Sequence, residues 1–559
     1  MTTELASRTG GQILVDQLIV QGADHVFCVP GESYLAVLDA LHDADTKVTI
    51  CRQEGGAAMM AEAYGKLTGR PGICMVTRGP GATNASPGVH IAQQDSTPMI
   101  LFVGQIERGM RGRDAFQEVD YGKLFGGICK WVAEIDDADR VPEMIARAYA
   151  TAMQGRPGPV VLVLPEDMLT DTAEVPDAPR VEAAETWPGN NDMVKLQKLL
   201  WAAKKPVLLL GGSRWSEKAV DAVTRFAERF ELPVICQFRR QMLFDHEHAN
   251  YAGDLGLGGN PDMLKLIKDS DLIIALGGRL SEIASQSYTL IDIPQPSQTF
   301  VHIHPGPEEL GRVYQAHLPI QASPTAFAAA VEGLQPPQAI AWSGAAARAH
   351  ESYLAWTGNP ARLPGKLQYG EIMSWLRDRL PDDAIVCNGA GNYAIWVHRF
   401  LRFRRYGTQL APTSGSMGYG TPAAVGAKRM QPDKMVVAFA GDGCFMMNGQ
   451  EFATACQYDL PIIVVVVDNG MYGTIRMHQE RDYPGRVSAT TLKNPDFAAL
   501  ARAYGGHGET VHETAEFAAA FERAVASGKP AILHLFLDQQ AITPTTTIEQ
   551  IREKARAKG

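Results

Sequence analysis

The chain has 559 residues, 45% hydrophobic and 20% charged, with a formal net charge of -10; this is a globular polypeptide of several domains, and its acidic balance argues against nucleic-acid partners. Its eight cysteines, at 28, 51, 74, 129, 236, 387, 444 and 456, are never closer than twelve residues, so neither a zinc knuckle nor a disulfide framework is expected. No basic region leads into an apolar stretch near the start and no run reaches membrane-spanning length, so the expectation is a cytoplasmic protein with no membrane partner.

Taken in chain order, residues 1–172 alternate helical and strand patterns, including "ICMVT" and "PMILFVG", and finish at "GRPGPVVLVLPEDM". The polar, Pro- and Ala-rich "DTAEVPDAPRVEAAETWPGN" reads as a linker. A second α/β block, 191–340, begins with "KKPVLLLGG", continues through "ELPVICQF" and "DLIIALGG", and fades after "TFVHIHPG". An irregular stretch near 335–365 precedes a third block, 366–546, from "DAIVCNGAGN" to "AILHLFLD", and residues 547–559 read as a charged tail with a short surface helix. Three doubly wound, parallel-sheet α/β domains are the economical reading.

Within the third block, "AGDGCFMMNGQEFATACQYDLPIIVVVVDN" places a small-residue turn after one apolar run and Asp-Asn after the next. Both runs read as buried parallel strands, with Asn448 capping a crossover helix that ends near Tyr458. Neighbouring parallel strands end on one side of the sheet, so Asp442 and Asn469 should face each other at the edge where α/β sheets bind ligands. A carboxylate, an amide and nearby carbonyls suit Mg²⁺ shared with substrate phosphates, and Gly441 and Gly443 permit close backbone approach. Asp and Asn are also ordinary turn residues at strand ends.

In the first block, "CRQEGGAAMMAEAYGKLTGRPG" sets Glu54 against an Ala- and Met-rich helix, and "GPGATN" follows at 79 to 84. By itself Glu54 is either a helix N-terminal acid favoured by the dipole or a carboxyl desolvated by its surroundings.

GDG at 441 to 443 with Asp468-Asn469 resembles the signature of thiamine diphosphate (ThDP) enzymes of the acetolactate synthase and pyruvate decarboxylase type, which is GDG, roughly 25 to 30 residues, then a pair usually written NN. The resemblance runs along nearly the whole chain and is nearest to acetolactate synthase-like large subunits. It implies Asp442, Asn469 and the carbonyl of Met471 as Mg²⁺ ligands, with Gly441, Gly443 and Cys444 lining the diphosphate. It implies Glu54 as the acid that hydrogen-bonds the cofactor's pyrimidine ring and relays its proton, with Thr77, Pro80 and Asn84 on the cofactor side. "SGSMGYGTPAAVGA" resembles the segment that carries the apolar wedge under the bent cofactor, which gives Met417; core packing is its ordinary alternative. "GRDAFQEVD" resembles the segment whose Phe and Gln face substrate, which gives Phe116 and Gln117. Glu32 aligns with an acidic position of the pyruvate decarboxylase pattern, or is a solvated loop acid. His478 stands where acetolactate synthases have Trp, and is either a substrate contact or a surface residue.

The departures are informative. Asp468 replaces the first Asn of the pair, no adjacent His pair occurs in the first block, and Arg279-Leu280-Ser281-Glu282-Ile283 replaces the run found near FAD in acetolactate synthases. The missing His pair argues against simple aldehyde release, and the replaced run speaks against FAD. Other polar clusters stay with bland readings: His246 and His248 around Glu247 read as a solvated turn, and the glycine pairs at 211–212 and 277–278 as nucleotide approach or close packing. The resemblance therefore implies ThDP- and Mg²⁺-dependent decarboxylation of a pyruvate-like 2-oxo acid with carboligation to a second carbonyl, in a homodimer or homotetramer with active sites at the subunit interface. The alternatives are a lyase or decarboxylase of an aromatic, acyl-CoA or sulfonated substrate, and a non-catalytic cofactor-binding paralogue.

Overall fold

The computed structural model describes residues 6–557 and divides into two compact units. The first takes in residues up to 184 together with 425–431 and 448–458. Its sheet has six strands in the spatial order Lys47–Ile50, His25–Cys28, Gly72–Val76, Met99–Gln105, Pro159–Pro165, Trp131–Glu134. All five pairings are parallel. The inner strands are uninterrupted apolar runs because helices cover both faces, as parallel sheets require. The linker is tied down: Thr172–Ala173 pairs with Arg8–Thr9, and the buried amides of Gln17 and Gln21 donate to the carbonyls of Ala178 and Pro179.

The second unit contains two further six-stranded parallel sheets. The middle one runs Tyr251–Leu255, Val234–Gln237, Pro206–Leu210, Leu272–Leu276, Thr299–His304, Leu318–Gln321. The last runs Gln409–Leu410, Ile385–Asn388, Val436–Gly441, Ile462–Asp468, Ala531–Phe536, His507–Val511. In both, strand order reverses beside the earliest inner strand, which opens a crevice at the carboxyl ends. Side chains of the same domain lie close to the glycines of the middle crevice. Gln237 packs against both Gly211 and Gly278, Arg240 Nε donates to Gly212 O at 2.8 Å, and a Cβ on Gly212 would lie 1.7 Å from Gly277 O. These glycines are thus closely packed.

Three expectations need correction. Asn448 does not cap the crossover helix: a first helix, Asp442–Asn448, begins directly at the strand end, and a second, Glu451–Gln457, follows with Gln450 at its N-cap. The stretch near 335–365 contains the helix Ala345–Gly358, whose alanines form helix without a strong apolar stripe. His246 is not in a solvated turn. It is fully buried, stacks on Tyr251 at 4.1 Å and meets the Tyr353 hydroxyl at 3.1 Å through Nδ1, and burial pushes its pKa well below the usual value. His248 instead pairs with Glu228 at 3.0 Å.

The C-terminal helix, Ile548–Arg556, packs down on the helix Gly473–Asp482. Arg552 holds Glu480 through two nitrogens at 2.8 and 2.9 Å, and Ile548 joins Met471 and Ile542 in a small apolar cluster. Hydrogen bonds from Arg552, with those from Gly485 N and Arg476, outweigh burial and lower the Glu480 carboxyl to about 2. Among the described residues, no helix is long and apolar enough to cross a membrane.

Candidate active site

In the second unit, Val436–Gly441 and Ile462–Asp468 are adjacent, with Gly441 opposite Val467. This register delivers Asp442 and Asn469 side by side just past the strand ends. Both line a cavity of about 230 Å³, together with Gly391, Met417, Gly441, Gly443, Cys444 and Met471. Seven of the ten positions expected around the cofactor therefore meet here. His478 lies on the helix Gly473–Asp482, whose Gly473, Thr474 and Ile475 line this cavity, but His478 is not part of the wall.

Asp442 is almost fully buried. Burial raises its pKa to about 6, against the opposing hydrogen bonds from Asn494 and Gly443 N and with a further push from the Asp468 charge. Asn494 Nδ2 donates to Asp442 Oδ2 at 2.7 Å and to Asp468 Oδ1 at 2.8 Å. Asp468 Oδ2 meets His534 Nε2 at 3.0 Å, and Oδ1 also accepts from Gly470 N at 2.8 Å. Burial would raise Asp468, yet the bonds from His534, Gly470 N and Asn494 outweigh it and hold the carboxyl below its usual range. The Asp that replaces the first Asn of the pair is thus fully engaged by its own neighbours. Asn494 and His534 were invisible to motif reading, since neither belongs to a spaced signature; only the unusual Asp468 hinted that something must neutralise it.

The cradle fits a diphosphate and its cation. One carboxylate, one side-chain amide and a backbone carbonyl form an oxygen donor set of the kind Mg²⁺ takes. The backbone is stripped of side chains where it must come close: a Cβ on Gly443 would lie 2.6 Å from the Tyr472 ring, and one on Gly389 would lie 2.6 Å from Cys444 Sγ. Cys444 is fixed by Tyr393 Oη at 3.4 Å and by Gly418 N at 3.3 Å.

In the first unit, Glu54 opens the helix Glu54–Thr68 behind the N-cap Gln53, whose side chain accepts from Gly56 N. Asn84 Nδ2 donates to Glu54 Oε2 at 3.0 Å. A Cβ on Gly81 would stand 3.4 Å from Glu54 Oε1 and 2.9 Å from Thr77 Cγ2, so Glu54, Thr77 and Asn84 converge around the glycine that follows Pro80. Pro80 is the first residue of the helix Pro80–Asp95, after Gly79 at φ +61°. Gln117, in the left-handed region at φ +64°, packs beside Gly79, while Phe116 is 73% exposed. Glu32 is an exposed acid in an ion pair with Arg78 at 3.0 Å, and Arg78 also holds Glu166 at 2.8 Å.

Three family models match the chain: the N-terminal thiamine pyrophosphate-binding domain over residues 8–124, the central domain over 193–331, and the C-terminal thiamine pyrophosphate-binding domain over 389–535. Along 534 residues it is 32% identical to the acetolactate synthase isozyme 2 large subunit of Escherichia coli, covering 95% of this chain and 96% of that protein. The chain belongs to the thiamine diphosphate-dependent enzymes. Two further relatives extend the likeness. The acetolactate synthase large subunit of Corynebacterium glutamicum is 31% identical (95% of this chain, 87% of the relative), and that of Parasynechococcus marenigrum is 34% identical (89% and 83%). This member is therefore an acetolactate synthase-like enzyme of the ThDP-dependent 2-oxo acid decarboxylase and carboligase type, and thiamine diphosphate is its cofactor.

Proposed function

We propose that the chain, with Mg²⁺, decarboxylates a pyruvate-like 2-oxo acid and joins the resulting two-carbon unit to a second carbonyl compound. The observation that carries this reading is the pairing of Asp442 and Asn469 in one cavity beside a Gly443 whose Cβ has no room. Asp442, Asn469 and the Met471 carbonyl would hold the cation, Gly441, Gly443 and Cys444 would receive the diphosphate, and Met417 would pack against the cofactor as its apolar wedge.

Thiamine diphosphate supplies a thiazolium ring that takes up the electron pair released on decarboxylation. The protein's part is placement and proton movement. Glu54 accepts from Asn84 Nδ2 at 3.0 Å and would be the group that hydrogen-bonds the cofactor's pyrimidine ring and holds or gives up a proton at its carboxyl. Phe116 and Gln117 would face the substrate, with Glu32 as an acid of the site and His478 as a substrate contact. FAD is given no part, since Arg279-Leu280-Ser281-Glu282-Ile283 replaces the run found near FAD in acetolactate synthases. A homodimer or homotetramer, each active site taking its halves from two copies, completes the proposal.

The test is to incubate purified protein with ThDP, Mg²⁺ and a panel of 2-oxo acids, following carbon dioxide and carboligation products. Carboligation from pyruvate supports the reading. Turnover confined to aromatic substrates points to the lyase alternative, and no turnover with any of the panel defeats it.

A further inference from the structure

The helix Glu451–Gln457 carries a carboxylate that the proposed chemistry does not use. Glu451 is fully buried, and burial raises its pKa to about 6 despite the hydrogen bonds made to it. Its Oε1 accepts the backbone N–H of Arg52 at 3.0 Å and of Gln53 at 2.9 Å, the two residues immediately before Glu54. Its Oε2 accepts from the Thr454 hydroxyl at 2.7 Å, which fixes the rotamer.

The same segment grips the strand entering that turn. The backbone N–H of Ile50 donates to Tyr458 Oη at 2.8 Å, Arg52 Nη2 donates to Gln457 Oε1 at 2.5 Å, and Arg429, stacked over the Tyr458 ring at 4.4 Å, donates to Thr49 Oγ1 at 3.2 Å. The fit is close: a Cβ on Gly56 would stand 2.5 Å from Glu451 Oε1. A buried carboxylate costs stability unless its oxygens are satisfied, so its retention here needs a reason beyond filling space. The backbone amides it satisfies are those of the turn that aims the Glu54 side chain.

We propose that Glu451 is a positioning residue for Glu54: its carboxylate clamps the Arg52–Gln53 amides and so fixes the helix entry from which the activating acid projects. The inference rests on the role proposed for Glu54. A buried charge-assisted pair of bonds to consecutive amides holds a turn far more firmly than helix propensity can, and misplacing a proton-transfer group by about 1 Å can cost on the order of 100-fold in rate.

The test pairs Glu451→Ala with Glu451→Gln, which keeps a carbonyl oxygen for the two amides, and with Glu54→Gln as reference. In the cofactor-free protein, hydrogen exchange read by mass spectrometry should show E451A losing protection over residues 50–54 and E451Q keeping most of it. With ThDP and Mg²⁺ added, E451A should slow exchange of the cofactor C2 proton by about 10- to 100-fold, with ThDP affinity within about threefold of wild type, and E451Q should recover most of the rate. Wild-type C2 exchange in E451A overturns the proposal, as does an affinity loss as large as the rate loss or equal defects in E451Q and E451A. If E54Q itself exchanges at the wild-type rate, the reading of Glu54 falls; if E54Q is slow while E451A is not, only the present inference falls.

Discussion

The side-chain amide of Asn494 stands 2.7 Å from Asp442 Oδ2 and reaches Asp468 Oδ1 at 2.8 Å with the same nitrogen. One donor thus separates two buried carboxylates that would otherwise repel, and it fixes the orientation of the one proposed to hold the cation. Residues that orient a metal ligand through a hydrogen bond are worth about 10- to 100-fold in metal affinity. Asn494→Ala should therefore weaken Mg²⁺ binding in the presence of ThDP by that factor, read by titrating Mg²⁺ against intrinsic fluorescence. An unchanged midpoint would mean that Asp442 needs no such support.

Gly443 offers a separate test of the cradle. A methyl group there must displace the Tyr472 ring, which a Cβ would approach at 2.6 Å. Gly443→Ala should abolish saturable ThDP binding in calorimetry and leave the circular dichroism spectrum and melting temperature close to wild type. Retained affinity would show that Tyr472 moves freely and that the backbone approach is not needed.

A pH dependence follows from Asp254, in the second unit. Its carboxyl accepts from Gln241 Nε2 at 3.0 Å and Gln241 Oε1 in turn meets His398 Nδ1 at 2.7 Å; Gln241 is buried, while Asp254 and His398 each have an edge open to a small cavity. Burial raises Asp254 to about 7, against about 3.9 in an unfolded chain. The folded protein therefore binds more protons than the unfolded one between these values, so this group's contribution is present in acid and is lost as pH rises through 7. The full shift corresponds to about 4 kcal/mol, trimmed by the open edge. Asp254→Asn, which keeps an acceptor for Gln241, should gain several degrees in melting temperature relative to wild type between about pH 5 and about pH 8.5. A difference that does not change with pH would contradict the buried-acid account.

What the sequence made legible was the interior of each sheet. "ICMVT", "VLLL", "LIIAL" and "IIVVVVD" are buried on both faces and read as unbroken apolar runs. Four edge strands of the six-stranded sheets were not legible. Lys47–Ile50, Trp131–Glu134, Leu318–Gln321 and His507–Val511 carry exposed or half-exposed positions and polar residues, because an edge has a solvated side. The helix Ala345–Gly358 escaped for the opposite reason: its alanines and glycines resemble a linker. At the site, the meeting of Asp442 and Asn469 was legible because they follow neighbouring parallel strands at a fixed spacing, whereas Glu54 stood out only through the resemblance. Asn494, His534 and Glu451 were not legible, because each acts on a residue far away in sequence, and such pairings exist only once the chain has folded.

The central claim is that Glu54 starts the chemistry on a cofactor held by Asp442 and Asn469. Exchange of the C2 proton of bound ThDP for deuterium, quenched in acid and read by proton NMR, tests it most directly. The account predicts rapid exchange in the wild-type protein with Mg²⁺ and a rate reduced by at least about 100-fold in Glu54→Gln, while that variant still binds the cofactor. Exchange in Glu54→Gln at the wild-type rate would contradict it.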